Sequence, residues 1–316
     1  MKLDLEGMIP ATVLPMTAAA EVDEAGLRRY MRHMASAKPK ALAINVDTGE
    51  GPHMWHKERL RVLEVVLDEV GDRIPVVAGL GAQFTAQAVE MAREIKETGA
   101  SGLLVFPIGA YQGLPLDPEL PVRYHAAIGD ATGLPLVLFQ LQPALGGVNF
   151  EPATLARMCT VAQVVAIKEA SFDRKRFVEV RDTVKAARPD CVYLTGNDNF
   201  IHESFELGAQ GALIGFGAVA TRQQVELVTH ALAGRHDRAR VIMDRLTPLV
   251  EAIFAPPVRN YRARAKAALV MQGIIECEAV RPPLLPISDA ERERIREALL
   301  FAGELDDKGD AAEASA

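Results

Sequence analysis

One lysine of this chain occupies a position suited to covalent catalysis. Lys168 lies within the apolar segment Val164–Ala170, which has the pattern of a buried strand, whereas the other nine lysines fall in loops, termini or helix faces that water is expected to reach. Burial disfavours the charged ammonium and lowers its pKa, and a neutral amine can form a Schiff base with a carbonyl substrate. The residues alone leave a second interpretation equally open, in which Lys168 is structural and either pairs with Glu169 or extends from the strand end towards water.

A second group of polar residues follows the predicted second strand. The segment Asn45–Gly51 combines Asp47, Thr48 and Glu50 with two glycines. Successive backbone N–H groups beside glycines can form an anion-binding turn suited to a carboxylate. Because Asp, Thr and Gly are also common in turns for conformational reasons, this motif by itself favours a structural role.

The elements that must position these residues are short apolar runs that recur at the spacing of one βα unit. The predicted strands are Met8–Leu14, Ala41–Val46, Pro75–Leu80, Gly102–Phe106, Pro135–Gln140, Val164–Glu169, Val192–Thr195 and Gly211–Phe216. Helical patterns with charged faces separate them, for example Glu24–Ser36, Lys57–Val70, Ala86–Thr98, Arg174–Ala187 and Asn199–Leu207. Eight such units predict an α/β fold, a closed (β/α)8 TIM barrel. The alternative is an open doubly wound sheet, but the first strand lacks the Gly-rich fingerprint expected there.

The pattern after the eighth strand is wholly helical. The predicted helices are Arg222–Ala233, Asp237–Phe254, Tyr261–Gln272 and Asp289–Phe301. We interpret residues 1–232 as the barrel with the catalytic site and residues 233–303 as a C-terminal helical extension packed on it. Residues 304–316 are small and acidic, which predicts a disordered tail.

Composition and charge exclude several classes of protein. The chain has 316 residues, of which 49% are hydrophobic and 24% charged, as in a globular protein with a large core. A net charge of -7 argues against binding to nucleic acid or to an anionic membrane. No apolar run reaches the roughly 18 residues of a membrane helix. Three scattered cysteines and an acidic N-terminal segment predict a cytoplasmic protein.

Several motifs in this order resemble the dihydrodipicolinate synthase / N-acetylneuraminate lyase family of class I aldolases. Thr48–Glu50 follows the second strand, Ile167–Ala170 lies on the sixth, and Gly196–Asp198 follows the seventh. Arg73–Gly79 on the third strand and the late Leu285–Ile287 extend the likeness over nearly the whole chain. The lysine motif and the Thr-Gly-Glu motif are specific in combination, whereas each is weak by itself.

The resemblance implies that Lys168 forms a Schiff base with a 2-oxo acid, such as pyruvate or a pyruvoyl-ended sugar acid. It implies that Thr48 and Gly49 hold the substrate carboxylate and that Thr48 also relays protons. The resemblance further implies a homotetramer, a dimer of dimers, and we expect neither cofactor nor metal. The further substrate-binding residues that we expect are Glu50, Phe139, Gln140, Gly196, Asn197, Ile214 and Tyr111.

The chain departs from the family pattern at three places. Phe139 stands where most members have a proton-shuttling Tyr, and Ala144–Gly147 replaces the segment whose Arg binds the second substrate in the synthases. A positioned acid–base group is typically worth roughly 10²–10⁴-fold in rate, so authentic dihydrodipicolinate synthesis is not expected. Asp47 stands where the family has Thr, Ser or Gly. We predict that Asp47 acts as general acid or base, or that it pairs with the charge of Lys168 or with a nearby helix N-terminus. Tyr111 is a weaker candidate for the hydroxyl role.

The sequence therefore predicts a Schiff-base lyase or aldolase acting on a 2-oxo acid. Dehydration or deamination of a 2-oxo sugar acid shares the same iminium and stays open. A different class is a metal-dependent aldolase, whose ligands would be Asp47, Glu50, His53 and His56, but it leaves Lys168 without a role. A third class is a catalytically silent barrel that binds a 2-oxo acid.

Overall fold

The apolar runs form the parallel barrel that their spacing predicts. The computed structural model describes residues 3–113 and 115–306. The strands of the described residues are β1 (Met8–Pro10), β2 (Leu42–Ile44), β3 (Val76–Leu80), β4 (Gly102–Val105), β5 (Leu136–Leu141), β6 (Val164–Ala170), β7 (Val192–Thr195) and β8 (Gly211–Ile214). They pair in the order β1-β8-β7-β6-β5-β4-β3-β2, and a parallel bridge between Ala11 and Ala43 joins the two ends of the sheet. The predicted (β/α)8 barrel is therefore confirmed.

Helices cover the outside of the barrel and continue beyond its last strand. They are α1 (Glu24–Ser36), α2 (His56–Val70), α3 (Thr85–Glu97), α4 (Glu119–Thr132), α5 (Pro152–Met158), α6 (Arg174–Ala187), α7 (Ile201–Glu206), α8 (Thr221–Leu232), α9 (His236–Ile253), α10 (Tyr261–Met271) and α11 (Asp289–Ala302). No helix among the described residues is long and apolar enough to cross a membrane.

The strands are buried on both faces, which explains why the sequence shows apolar runs rather than alternation. Inward-pointing side chains such as Val77, Val137 and Ala166 form one apolar cluster inside the barrel, and a larger cluster fills the space between the sheet and the helices. Successive residues of a strand point to opposite faces. Lys168 therefore points into the barrel from β6, between the inward-pointing Ala166 and Ala170.

Four strands end earlier than predicted at the ends that bear the site: β1, β2, β4 and β8. β1 ends at Pro10 where Leu14 was expected, and β8 ends at Ile214 where Phe216 was expected. After β8 the chain turns at Gly215 into a 3-10 turn over Phe216–Ala218. These residues are apolar because they are buried, so the pattern alone could not separate them from the strands.

The C-terminal helices do more than cover the barrel. Every residue of α10 from Tyr261 to Leu269 is buried, although Arg262, Arg264 and Lys266 are among them. The division at residues 232 and 233 stays a prediction. Most of the predicted tail, residues 307–316, lies outside the described residues. Glu304, inside the predicted tail, accepts hydrogen bonds from Gln223 and Gln272, so ordered contacts extend past residue 303.

Candidate active site

Lys168 lies at the centre of a cavity at the carboxyl ends of the strands. Its side chain is 7% exposed and its Nζ lies 4.4 Å from the centroid of the Phe139 ring on β5. Burial lowers the pKa of Lys168 to about 8, and the charges of Asp198 and Asp47 oppose this shift only in part. A substantial fraction of the amine is thus neutral near physiological pH, which is the form that attacks a carbonyl.

The alternative role for Lys168, as a partner of Glu169, does not fit the geometry. Glu169 follows Lys168 on β6 and points outward, where its carboxylate accepts hydrogen bonds from Gln140 (3.2 Å) and Asn197 (2.7 Å). Among the described residues, the structure records no carboxylate within salt-bridge distance of Lys168. The amine is therefore held in the cavity without a direct ion pair.

The space around Lys168 has an empty volume of about 340 Å³, which includes space open to solvent. Its lining residues are Asp47, Thr48, Phe139, Leu141, Leu145, Lys168, Ala170, Phe172, Gly196, Asp198, Gly215, Phe254 and Tyr261. We call this the Lys168 cavity. It brings together residues from β5, β6, the loops after β2, β7 and β8, and the helical extension.

Two glycines leave room for the reactive groups. A Cβ atom on Gly196 would lie 2.7 Å from Cε of Lys168, and one on Gly215 would lie 3.2 Å from Oγ1 of Thr48. The first distance is below any real carbon–carbon contact, so a side chain at position 196 would displace the lysine. Gly196, which was predicted to belong to the site, lines the cavity beside the lysine.

The hydroxyl groups of Tyr261 and Thr48 meet in the cavity. Tyr261 begins α10, and its hydroxyl donates to Oδ2 of Asp47 (2.8 Å) and lies 3.2 Å from Oγ1 of Thr48. Its ring stacks on Phe254 at a centroid distance of 4.9 Å, which fixes its position. Burial, together with the nearby charge of Asp47, raises the pKa of Tyr261 well above 10, so the phenol stays protonated in the resting site.

Tyr261 was not among the predicted site residues. The predicted position for a phenol was on β5, where this chain has Phe139, and the weaker candidate Tyr111 lies elsewhere. Tyr111 is buried against Tyr124 and Phe150 and does not line the Lys168 cavity. The signal that could have found Tyr261 is that the chain has only five tyrosines, so few phenols were available to replace the one missing on β5.

Asp47 lines the cavity as predicted, but both of its oxygens are already engaged. Oδ1 contacts the guanidinium of Arg262, and Oδ2 accepts the hydrogen bond of Tyr261. Arg262 also donates from Nε to the Asp47 carbonyl (2.7 Å). The carboxylate therefore holds the start of α10 against the barrel and orients the Tyr261 hydroxyl.

A second carboxyl group close to the lysine belongs to Asp198. This residue ends the Gly196–Asp198 motif but was not predicted to belong to the site. Asp198 follows β7, is 4% exposed and accepts a hydrogen bond from the backbone N–H of Phe216 (2.7 Å). Burial raises the pKa of Asp198 to about 7, against the opposing effects of that N–H and of Lys168. A carboxyl with this pKa can both give and take a proton at neutral pH.

Glu50 was predicted to contact substrate, and the structure contradicts this. Its carboxylate is fully buried, with Oε1 on the ammonium of Lys266 and Oε2 on the backbone N–H of Arg281. The expectation that water reaches every lysine other than Lys168 is also wrong, because Lys266 is fully buried. An internal ion pair of this kind is costly to break, since one uncompensated charge would remain buried. Glu50 thus ties the loop after β2 to α10.

Four more predicted substrate-binding residues lie outside the lining of the Lys168 cavity. They are Gly49, Gln140, Asn197 and Ile214. Gln140 and Asn197 point outward and bind Glu169, because each is offset by one residue from an inward-pointing neighbour. Ile214 packs in the core between sheet and helices. Gly49 packs its backbone against Thr12, where a Cβ atom would come within 2.9 Å of the carbonyl oxygen.

The residues proposed as ligands of a metal-dependent aldolase do not converge. Besides the contacts of Asp47 and Glu50 above, His56 is paired with Glu94 at 2.5 Å on the outer layer. The single group of potential ligands found among the described residues is elsewhere, at His202, Glu206 and His236. The geometry therefore favours amine chemistry at Lys168.

A larger cavity adjoins the Lys168 cavity and shares Asp47, Leu141 and Leu145 with it. Its empty volume, including space open to solvent, is about 1040 Å³. Arg59 and Gln83 are among the polar residues on its walls. A substrate larger than pyruvate thus has space beyond Leu145.

Comparisons with known proteins agree with the predicted fold and family. A sequence model described as the dihydrodipicolinate synthetase family matches residues 4–301. The 4-hydroxy-tetrahydrodipicolinate synthase of Kineococcus radiotolerans is 34% identical over 298 residues, which cover 94% of this chain and 92% of that protein. A chloride-inhibited dihydrodipicolinate synthase from Acinetobacter baumannii, solved with pyruvate, has a TM-score of 0.84 at 26% identity, covering 96% of this chain and 100% of that one.

A further solved structure bears on assembly. It is described as a monomeric dihydrodipicolinate synthase variant, with a TM-score of 0.86 at 29% identity, and it covers 95% of this chain and 97% of the other. The homotetramer expected from the resemblance stays a prediction, as does the cytoplasmic location.

A parallel barrel with a buried lysine in its mouth defines an enzyme of the aldolase class, a lyase. The sequence match over nearly the whole chain also identifies the family within that class. The chain belongs to the dihydrodipicolinate synthetase family.

Proposed function

We propose that this protein is a Schiff-base-forming lyase or aldolase that acts on a 2-oxo acid through an iminium on Lys168. The observation that carries the proposal is the buried, unpaired amine of Lys168 in a cavity at the carboxyl ends of the strands. Attack of the neutral amine on the 2-oxo carbon gives a carbinolamine, and loss of water from it gives the iminium. The iminium then withdraws electrons from the neighbouring carbon, at which a carbon–carbon bond forms or breaks.

Two groups are suited to the proton transfers of this sequence. Asp198, with a pKa of about 7, can protonate the departing hydroxyl of the carbinolamine. Tyr261 lies in the same cavity with its hydroxyl between Asp47 and Thr48. We assign to Tyr261 the proton shuttle that Phe139 cannot perform. In this assignment Asp47 is a positioning residue, because it acts through Tyr261 and Arg262.

The reaction partner is proposed to differ from that of the synthases. The segment in which the synthases have a carboxylate-binding Arg forms a 3-10 turn here over Pro143–Leu145, and Leu145 lines the cavity. Phe172 and Phe254 add apolar surface around the lysine. These residues offer no cation for a second carboxylate beside the iminium, so we do not expect efficient dihydrodipicolinate synthesis.

The direct test is trapping of the iminium. Incubation with pyruvate and sodium borohydride is expected to add one reduced pyruvyl group per chain, on the peptide that contains Lys168. Omission of pyruvate is the control. A protein that stays unmodified while it binds pyruvate would support the silent-barrel interpretation. Turnover that a chelator abolishes, without any trapping, would support the metal-dependent one.

The rate of trapping is expected to rise with pH through a midpoint near 8. Burial lowers the pKa of Lys168 to about 8, and only the neutral amine attacks, so the reactive fraction grows as pH rises through that value. A lysine in water, with a pKa of about 10.4, would give a midpoint more than about two units higher. Initial trapping rates between about pH 6 and about pH 10 distinguish the two. A midpoint near that of free lysine would contradict the buried site.

Thr48→Val is expected to lower kcat/KM for the 2-oxo acid by roughly 10- to 150-fold. Thr48 is 2% exposed, and its hydroxyl lies beside that of Tyr261, where it can donate to the substrate carboxylate. A hydrogen bond to a charged group contributes about 1.5–3 kcal/mol. Steady-state kinetics measure the effect, with the exposed Thr229→Val as control. If the two variants behave alike, the carboxylate is bound elsewhere.

A further inference from the structure

Two helices of the outer layer bring three potential metal ligands together, away from the Lys168 cavity. His202 and Glu206 are one turn apart on α7 and therefore share a face of that helix. His236 is the first residue of α9, which packs against α7. One nitrogen of each histidine and one carboxylate oxygen of Glu206 all lie within 4.8 Å of one another. The imidazole rings are 5.7 Å apart between centroids.

Each of these two histidines has a buried ring nitrogen without a hydrogen-bond partner. Nε2 of His202 is buried without a hydrogen-bond partner, and His202 as a whole is only 6% exposed. Nδ1 of His236 is buried and unpartnered in the same way. Buried polar atoms in proteins are almost always satisfied, so an unpartnered buried nitrogen on each of two neighbouring histidines points to a ligand that both could bind.

The chemistry of the three side chains selects a cation. A carboxylate beside two imidazoles repels an anion, and two His with one Glu is a ligand set that zinc uses in proteins. Imidazole nitrogen favours zinc and its transition-metal neighbours over magnesium or calcium, which prefer oxygen. Arg240 pairs with Oε1 of Glu206 at 3.1 Å, which leaves the second carboxylate oxygen for a ligand.

We propose that His202, Glu206 and His236 bind a divalent transition-metal cation of the zinc class. None of the three lines the Lys168 cavity, so the ion would have no part in the reaction. It would join α7 to the first turn of α9 and so tie the barrel to the helical extension. Small adjustments of the side chains would bring the ligand atoms to coordination distance.

The test uses the full-length protein, stripped with EDTA and free of any histidine tag, and Zn²⁺ as the probe. Calorimetric titration is expected to show one strong site per chain, and Tm should rise with zinc concentration. His202→Ala and His236→Ala should each weaken binding by at least roughly 10-fold, since even outer-shell partners of a metal contribute 10–100-fold. Co²⁺ binding followed by visible absorption gives an independent signature of the coordination.

Three further variants make the result specific. Glu206→Gln changes only an exposed side chain, so it keeps the fold and should weaken binding. Arg240→Gln removes the competitor for the carboxylate and should strengthen binding. His230→Gln, on α8 and outside the cluster, should leave binding unchanged. The proposal is overturned if the wild-type protein binds no Zn²⁺, or if His202→Ala, His236→Ala and Glu206→Gln all bind it as the wild type does.

Discussion

Lys168→Ala is expected to abolish turnover while the protein stays folded. The iminium cannot form without the amine, so the loss should reach the limit of detection. The side chain borders a cavity, and its burial disfavours the charged form, so its removal should not cost more than a few kcal/mol in the free energy of unfolding. Activity assays, borohydride trapping with pyruvate and thermal unfolding measure the three effects.

Two variants serve as controls for Lys168→Ala. Lys168→Arg keeps a long cationic side chain but should be equally inactive, because a guanidinium stays protonated and does not condense with a ketone. Lys175→Ala removes an exposed lysine at the start of α6 and should behave as the wild type. Retained turnover in a folded Lys168→Ala protein would refute the Schiff-base mechanism.

Tyr261→Phe is expected to lower kcat by roughly 10²-fold or more while trapping on Lys168 survives. Imine formation can take protons from Asp198 or solvent, whereas bond formation or cleavage at the neighbouring carbon needs the positioned hydroxyl. The substitution keeps the ring that stacks on Phe254 and leaves the ion pair of Asp47 with Arg262 in place. The effect should therefore fall on kcat more than on stability, and single-turnover kinetics would separate imine formation from the later step.

The chain offers a matched control for this variant. Tyr111 is as buried as Tyr261 and its hydroxyl also points into the protein, but it does not line the Lys168 cavity. Tyr111→Phe should leave kcat unchanged. In the Tyr261→Phe background, Phe139→Tyr places a phenol on β5 beside the lysine and should restore part of the activity. If Tyr261→Phe turns over normally, the shuttle is a water molecule, Thr48 or the substrate carboxylate.

Substitution of Asp47 is a less direct test of the proton shuttle than Tyr261→Phe. Asp47→Asn removes the charge that pairs with Arg262, which is buried, and changes the acceptor of the Tyr261 hydroxyl. A loss of activity in that variant would follow whether Asp47 exchanges protons itself or only orients Tyr261. Tyr261→Phe separates the two, because it leaves the carboxylate and its ion pair intact.

The barrel and the buried position of Lys168 could be predicted because both are local properties of the chain. A strand buried on two faces must be apolar over several consecutive residues, and eight such runs separated by helical patterns leave few alternatives to a parallel barrel. Against that background Lys168 is conspicuous, because burying an amine costs free energy and lysine is therefore rare inside a buried strand. Thr48 and Asp47 were identified from the turn motif after the second strand and Gly196 from the family resemblance, and all three line the cavity.

Local patterns could not distinguish which neighbours of the motif face the substrate. Glu50 and Gln140 are as close in sequence to lining residues as Thr48 is, yet each points away from the cavity. A shift of one residue along a strand reverses the direction of a side chain. The backbone conformation of the turn after β2 therefore decides that Thr48 lines the cavity while Glu50 forms a buried ion pair with Lys266.

The contribution of α10 was decided by tertiary structure alone. Tyr261 and Asp47 are 214 residues apart, and nothing in the helical pattern shows that the helix begins in the barrel mouth. The cations Arg262 and Lys266 suggested an exposed face, but acids of the loop after β2 neutralise both, so the helix can be buried. A local pattern records how apolar a segment is, whereas the partner of a buried charge depends on which distant segments pack together. The sequence by itself thus determined the barrel and its lysine, and the packing of α10 determined which hydroxyl stands beside it.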